Sequence, residues 1–426
     1  MDIVKPAIGI RVFIWLMSFL SDGFIEDYDS CIKLPGSHVP DTLIGNLFSS
    51  IAKWDSLFFL QIAHEGYIYE KNHAFFPMYP MLIRLFSCVL YPLEFIITKD
   101  EIYLISAVII SWGSYVISAY YMSKLSSVVL KDKSFSNWTS ALYLLSPACI
   151  FLTAIYSEPL FGALSISGLF YLFRDSWKLG KEGIEYAIPG ADRARATILF
   201  TLATATRSNG SLLFIFPMCM TVNRVINAIK LKNINFAFIV EEGFLLAGSG
   251  FLQALPIFSV LFYGFTLYCE GDPSPYCSGP MPNIYNYVQG KYWNVGFFKY
   301  WEMKQIPNFL LASPMIFISI MAIWTYIAVD PKRFFTASAY CKKIKTSDEY
   351  IKSPLVVPFV LYWAANLFIL VFIANVQIIT RTFCTLPSLY WYLGDKIFTK
   401  HRWIAGIFFV YLFLGVHMFS NFYPWT

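Results

Sequence analysis

Residues 102–122 read IYLISAVIISWGSYVISAYYM, a run of 21 residues without an Asp, Glu, Lys or Arg. A hydrocarbon core of about 30 Å takes about 20 apolar residues to cross as a helix. The apolar residues here are continuous rather than alternating, so the run reads as a helix and not as a barrel strand. Comparable runs recur at 7–24, 138–154, 158–173, 196–207, 208–222, 237–266, 308–329, 354–374, 376–393 and 403–421. The fold class that follows is an all-α polytopic membrane protein with about 9–12 transmembrane helices. Composition agrees: 57% of the 426 residues are hydrophobic and 19% aromatic, the mean hydropathy is +0.55, and only 14% are charged. A soluble domain carries about 25% charged residues, so this chain lacks the polar surface to cover a body in water.

The segment 83–97 is also apolar, but it holds Arg84, Pro92 and Glu94 and is short for a crossing. It reads as an interfacial helix lying on the bilayer. The run at 7–24 reads as a retained signal anchor rather than a cleaved leader, since no clean small-residue cleavage site follows it. Lys and Arg placement then sets the orientation. With the N-terminus cytosolic, Lys5 and the connections 123–137, 174–195, 223–236, 330–353 and 394–402 hold 21 of the 32 basic residues. The opposite side has two long loops, 25–101 and 267–307, and the first carries ten acidic residues. The formal charge of +5 belongs to the cytosolic rim, beside anionic headgroups. It gives no support to a nucleic-acid partner. No repeat or soluble linker interrupts the chain, which reads as one membrane domain over 1–426.

The eight cysteines show no metal spacing. Cys269 and Cys277 flank a Pro-rich turn, where either a short disulfide or two free thiols would fit. The sequons Asn137-Trp-Thr139 and Asn209-Gly-Ser211 fall on the cytosolic side and against the membrane, so neither is expected to be modified.

The chemistry concentrates in Lys53–Pro80, KWDSLFFLQIAHEGYIYEKNHAFFPMYP. Asp55 opens a short helical segment that Gly66 closes. Its carboxylate reads either as a helix N-cap or as a general base at the membrane face, and Trp54 beside it as an interfacial anchor or a platform for a sugar. Other ionisable groups stand where the membrane makes them costly: Glu158 between two spans, Arg207 with Asn209 in TRSNG, and Arg381 in a span. Glu158 and Arg207 fit a structural ion pair; alternatively, the arginines hold a phosphate, whose oxygens suit a planar guanidinium. Gln305 enters a span from the loop side, where it would meet a sugar hydroxyl. A competing acidic motif, Asp27-Tyr28-Asp29, follows the first span and offers another base. No Walker or Rossmann glycine loop is present, which fits a lipid-linked donor.

Five blocks in order, WDSLFFLQIAHEGYIYEKNHAFFPMYP, IYSEPLFGALS, ATRSNG, YWNVGFFKYWEMKQIPNFLL and TRTFCTLPSLYW, resemble the PIG-V family, GPI mannosyltransferase II. The resemblance runs from residue 53 to 392 and implies a GT-C type glycosyltransferase of the endoplasmic reticulum membrane. It implies dolichyl-phosphate mannose as donor, with no further cofactor. The implied acceptor is the mannosylated glucosaminyl-phosphatidylinositol of the GPI precursor, which receives a second, α-1,6-linked mannose. It also implies a small membrane partner subunit for some members. Trp54 and Asp55 match the family's Trp-Asp, and Gln305 the glutamine of its second large loop; His73 matches less well and takes no role. Two other readings stand beside it. A transporter would show related halves and broken helices meeting at the midplane, and another GT-C transferase would differ only in the matched blocks.

Overall fold

The computed structural model describes residues 2–28, 39–179, 184–187, 189–232, 235–270, 274–277, 282–340, 351, 353–399 and 403–425. Asp29 and Cys31 lie outside them. The described chain is helical apart from one two-stranded antiparallel ribbon, Trp177–Leu179 with Ile184–Tyr186, in which Trp177 faces Tyr186.

Among the described residues, seven helical segments are long and apolar enough to cross a bilayer: Val4–Phe24, Lys99–Leu130, Ser208–Lys230, Phe236–Tyr268, Met303–Val329, Pro354–Phe372 and Trp403–Ser420. The uncharged run at 102–122 sits inside the 32-residue helix Lys99–Leu130. That helix starts at a capping box, in which Thr98 Oγ1 accepts from Glu101 N–H and the Glu101 carboxylate accepts from Thr98 N–H. Asn235 caps Phe236–Tyr268 in the same spirit, its Oδ1 accepting from Phe238 N–H at 2.7 Å.

The other expected crossings are shorter or broken, and each break has a visible cause. The run at 138–154 becomes the helix Lys133–Leu144, followed by irregular chain from Ser146-Pro147 through a single 3₁₀ turn at Cys149–Leu152. The run at 376–393 splits at Leu386-Pro387 into short turns and the helix Pro387–Thr399. The helix Gly190–Thr206 ends where Arg207 turns extended (φ −152°, ψ 139°). The segment at 83–97 lies in the 13-residue helix Met78–Leu90 and the turn after it, too short to cross. Its Met81, Leu85 and Val89 are exposed while Tyr79 and Ile83 are buried, the two-sided pattern of a helix lying flat.

Small residues let the central helices approach. A Cβ on Gly162 would stand 2.9 Å from Ser118 Oγ, and one on Gly168 2.6 Å from the Phe200 ring. The first helix is packed in as well: buried Arg11 donates to Cys149 O and Thr153 Oγ1, both at 2.8 Å, and lies over the Tyr115 ring. These bonds hold the irregular chain 145–157 in place. Non-helical backbone at membrane depth persists only where protein or a cavity satisfies it. Three stretches of irregular chain and short helical turns, 145–157, 207–214 and 373–386, contribute residues to one cavity, and the last two carry Arg207 and Arg381.

Candidate active site

The chain enters the site through strain. Trp54 sits at φ 58°, ψ −124°, a conformation a bulky side chain rarely adopts. Neighbours hold it there. Trp54 Nε1–H donates to Phe419 O at 3.3 Å and its ring meets Phe422 at 5.7 Å. Lys53 is pinned by Asp22 at 2.9 Å and Asp27 at 3.0 Å. The kink makes Asp55 the first residue of the helix Asp55–Glu65, with its N–H donating to Tyr156 Oη. Gly66 follows the last turn and closes the helix as expected, at φ 89°, a positive angle that favours glycine.

The Asp55 carboxylate does not cap this helix, because Trp54 rather than Asp55 occupies the cap position. It faces Arg381 instead, with Arg381 Nη1 donating to Asp55 Oδ2 at 2.9 Å. Arg381 Nε lies 2.8 Å from Glu158 Oε1, and the same oxygen pairs with Arg207 Nη1. Arg207 Nη1 also donates to Ser157 Oγ at 3.2 Å. Two carboxylates and two guanidinium groups thus form one chain, Asp55–Arg381–Glu158–Arg207, drawn from four separate parts of the sequence.

This chain lies along the wall of a cavity of about 790 Å³. Asp55, Trp54, Arg207, Asn209 and Arg381 all line it. Glu158 does not: only 2% of its side chain is exposed, and it sits behind the two arginines. Its place is that of a group that orients them, in keeping with the Glu158–Arg207 ion pair that was one of the two readings open in the sequence. Gln305 also stays off this wall and lines an adjoining recess. Asp27 is tied to Lys53 and does not line the cavity.

No pattern of residues pointed to Ser157 as an arginine ligand, nor to the amides Asn286, Gln289, Asn308, Asn366 and Asn375, which also line the cavity. Isolated amides have no spacing to read. Phe58 and Phe75 stack at 4.8 Å to form an aromatic flank. The second long loop closes over the first: Lys291 pairs with Glu70 at 2.9 Å, and the disulfide Cys269–Cys277 staples the turn ahead of it. Beside it, burial pulls the His73 imidazole down to about 4.

Chemically, the arrangement offers one carboxylate facing a roomy cavity and two guanidinium groups beside it. Arg207 and Arg381 each keep an Nη2 without a partner among the described residues, and both side chains reach the cavity. Donors left over in this way suit phosphate oxygens.

A multi-pass helical protein with this site belongs, as a class, with the membrane glycosyltransferases. The chain is a member of the mannosyltransferase (PIG-V) family, whose model matches residues 1–426. It is 28% identical to the human GPI alpha-1,6-mannosyltransferase 2, over 100% of this chain and 98% of that protein. The GPI mannosyltransferase 2 of Drosophila melanogaster is 27% identical over 100% and 99% of the two chains. That of Yarrowia lipolytica is 30% identical over 88% and 87%. Among solved structures, the oligosaccharyltransferase of Archaeoglobus fulgidus tethered with an acceptor peptide is similar over 97% of this chain, with 12% identity and a TM-score of 0.46. This chain spans 55% of that one.

Proposed function

We propose that this protein adds the second mannose of the GPI-anchor precursor, in α-1,6 linkage, from dolichyl-phosphate mannose, at the lumenal face of the endoplasmic reticulum membrane. The observation that carries the reading is the Asp55–Arg381–Glu158–Arg207 chain on the cavity wall, in a member of a mannosyltransferase family. A β-linked mannosyl phosphate that yields an α-linkage requires inversion, hence one in-line displacement. The acceptor 6-hydroxyl oxygen attacks C1 of the donor mannose, the C1–O bond to phosphate breaks, and the hydroxyl proton passes to Asp55. The departing dolichyl phosphate takes the bonding electron pair, and the free N–H groups of Arg207 and Arg381 stabilise its growing charge. The arginines are neutralised at rest by the two carboxylates, so they are oriented before the donor arrives.

Broken helices do converge here, as a transporter would also have them; membership of the mannosyltransferase family favours the enzyme. The test is complementation of cells lacking GPI mannosyltransferase II, with precursors read by mass. Wild type should rescue, and Asp55→Asn should stall at the one-mannose precursor at normal expression. Rescue by both would move the base elsewhere. Rescue by neither would sink the activity, if it persists when the relatives' partner subunit is co-expressed.

A further inference from the structure

A second concavity of about 380 Å³ adjoins the main cavity, and Tyr292, Trp293, Asn308, Asn375 and Gln377 line both. Its floor is a hydrogen-bonded ladder. Tyr300 Oη–H donates to Gln377 Oε1 at 2.7 Å, and Asn308 Nδ2–H donates to Tyr300 Oη at 2.9 Å and to Gln305 Oε1 at 2.7 Å. The ladder consumes the amide oxygens of Gln305 and Gln377. It leaves both amide NH₂ groups without an acceptor among the described residues. Asn375 Oδ1, a buried atom of the same recess, has no donor among the described residues. Fixed donors next to an open acceptor match hydroxyl groups, which give and accept at one atom. An unpaired buried polar atom is costly unless a ligand or water completes it. The half-buried Trp293 ring adds a flat apolar face of the kind that covers the C–H side of a sugar.

The surroundings say where such a sugar comes from. The recess opens at the start of the helix Ile306–Val329 and just past the end of Val357–Phe372. Trp301, half exposed and next in the chain to the lining Tyr300, stacks on Phe372 with ring centroids 6.1 Å apart. Exposed aromatics at helix ends mark the headgroup level of a bilayer. A glycan rising from a lipid in the outer part of that leaflet would pass this recess before reaching Asp55.

Resting on the proposed function, we infer that this recess holds the non-reacting sugars of the lipid-linked acceptor, next to the mannose that is extended. Asn375, Gln377 and the Tyr300–Asn308 ladder are specificity-determining groups for the acceptor, apart from the arginines that face the donor phosphate.

The experiment is steady-state mannose transfer in microsomes, with two synthetic acceptors: the full mannosyl-glucosaminyl-inositol phospholipid and a single α-mannose on an alkyl chain. Wild type should prefer the full glycan. Gln377→Ala and Asn375→Ala should each raise its KM about five- to tenfold, with kcat and the donor KM within about twofold, and the preference should collapse. Tyr300→Phe keeps the ring packing and removes only the hydroxyl; it should shift the same KM, and it serves if the alanine variants are not made. A rise in donor KM, an undiminished preference in the variants, or a wild type indifferent to the inner sugars would overturn the inference alone. A wild type that extends neither acceptor would instead bring down the mannosyltransferase reading, and the subsite with it.

Discussion

Glu158 Oε1 stands 2.8 Å from Arg381 Nε and is shared with Arg207, so one buried carboxylate aligns two guanidinium groups. With Asp55 the four side chains sum to zero charge, which is how so many ionisable groups persist in an apolar body. Removing one member leaves its partners uncompensated. Breaking a buried pair in this way costs about 3–5 kcal/mol.

Glu158→Gln keeps the shape of the side chain and loses the charge. Both arginines would then swing toward Asp55 or the cavity. Expression should fall, and kcat/KM in the surviving protein should drop by about 100-fold or more, an effect on the order of 3 kcal/mol. Microsomal mannose transfer normalised to folded protein measures it. Wild-type turnover would show that the arginines need no buried carboxylate to hold them.

Arg381→Lys is the sharper probe of geometry. A lysine retains one charge, but a single ammonium cannot reach Asp55 and Glu158 as the planar fork does through Nη1 and Nε. We expect normal expression, since a cation still answers Glu158, and a donor KM raised about tenfold or more with a lowered kcat. An unchanged donor KM would assign the phosphate to Arg207 alone.

Much of this was legible in the sequence, and the part that was not has a physical reason. Uncharged runs such as 102–122 announce helices because the bilayer tolerates little else. Arg207, Asn209 and Arg381 were legible as polar groups in places where burial is expensive, and Trp54 and Asp55 as an aromatic–carboxylate pair in a polar loop; all five line the cavity. The Asp55–Arg381 pair joins residues 326 positions apart, and nothing in a sequence states a distance across such a gap. The place of Glu158 was not legible for the same reason: a carboxylate facing the cavity and one just behind it read alike. Helix ends were missed where a Pro broke a run that hydropathy alone would continue, as at Pro147 and Pro387, whereas the break between the runs 196–207 and 208–222 was legible and falls at Arg207.

Gly210 tests the break at Arg207. A Cβ there would come within 2.6 Å of the Thr204 backbone N and Cα, so the turn after Arg207 must open to accept it. Backbone cannot yield as a side-chain tip can. Gly210→Ala should therefore shift Arg207 off Glu158 and lower transfer about tenfold or more, at a stability cost of about 1–3 kcal/mol. Activity and thermal melting in detergent, read side by side, separate the two. A loss of melting temperature with full specific activity would mean that the turn relaxes without moving Arg207.

His73 gives the molecule an acid-sensitive joint outside the reaction. It is fully buried among Tyr67, Tyr263 and Tyr268, and neither ring nitrogen has a hydrogen-bond partner among the described residues. Burial pulls its pKa from 6.5 down to about 4, against a small opposing pull from Glu70. An unfolded chain takes up this proton near pH 6.5, while the folded one refuses it until about pH 4. The stability carried by the neutral ring is full above about 6.5 and is lost as pH falls through the interval down to the folded value. His73→Phe preserves the ring and removes the titration. Melting temperatures in detergent between pH 7 and pH 5 should fall more steeply for wild type than for the variant. Parallel slopes would mean that the imidazole is hydrated in the folded protein and titrates as it does in the unfolded one.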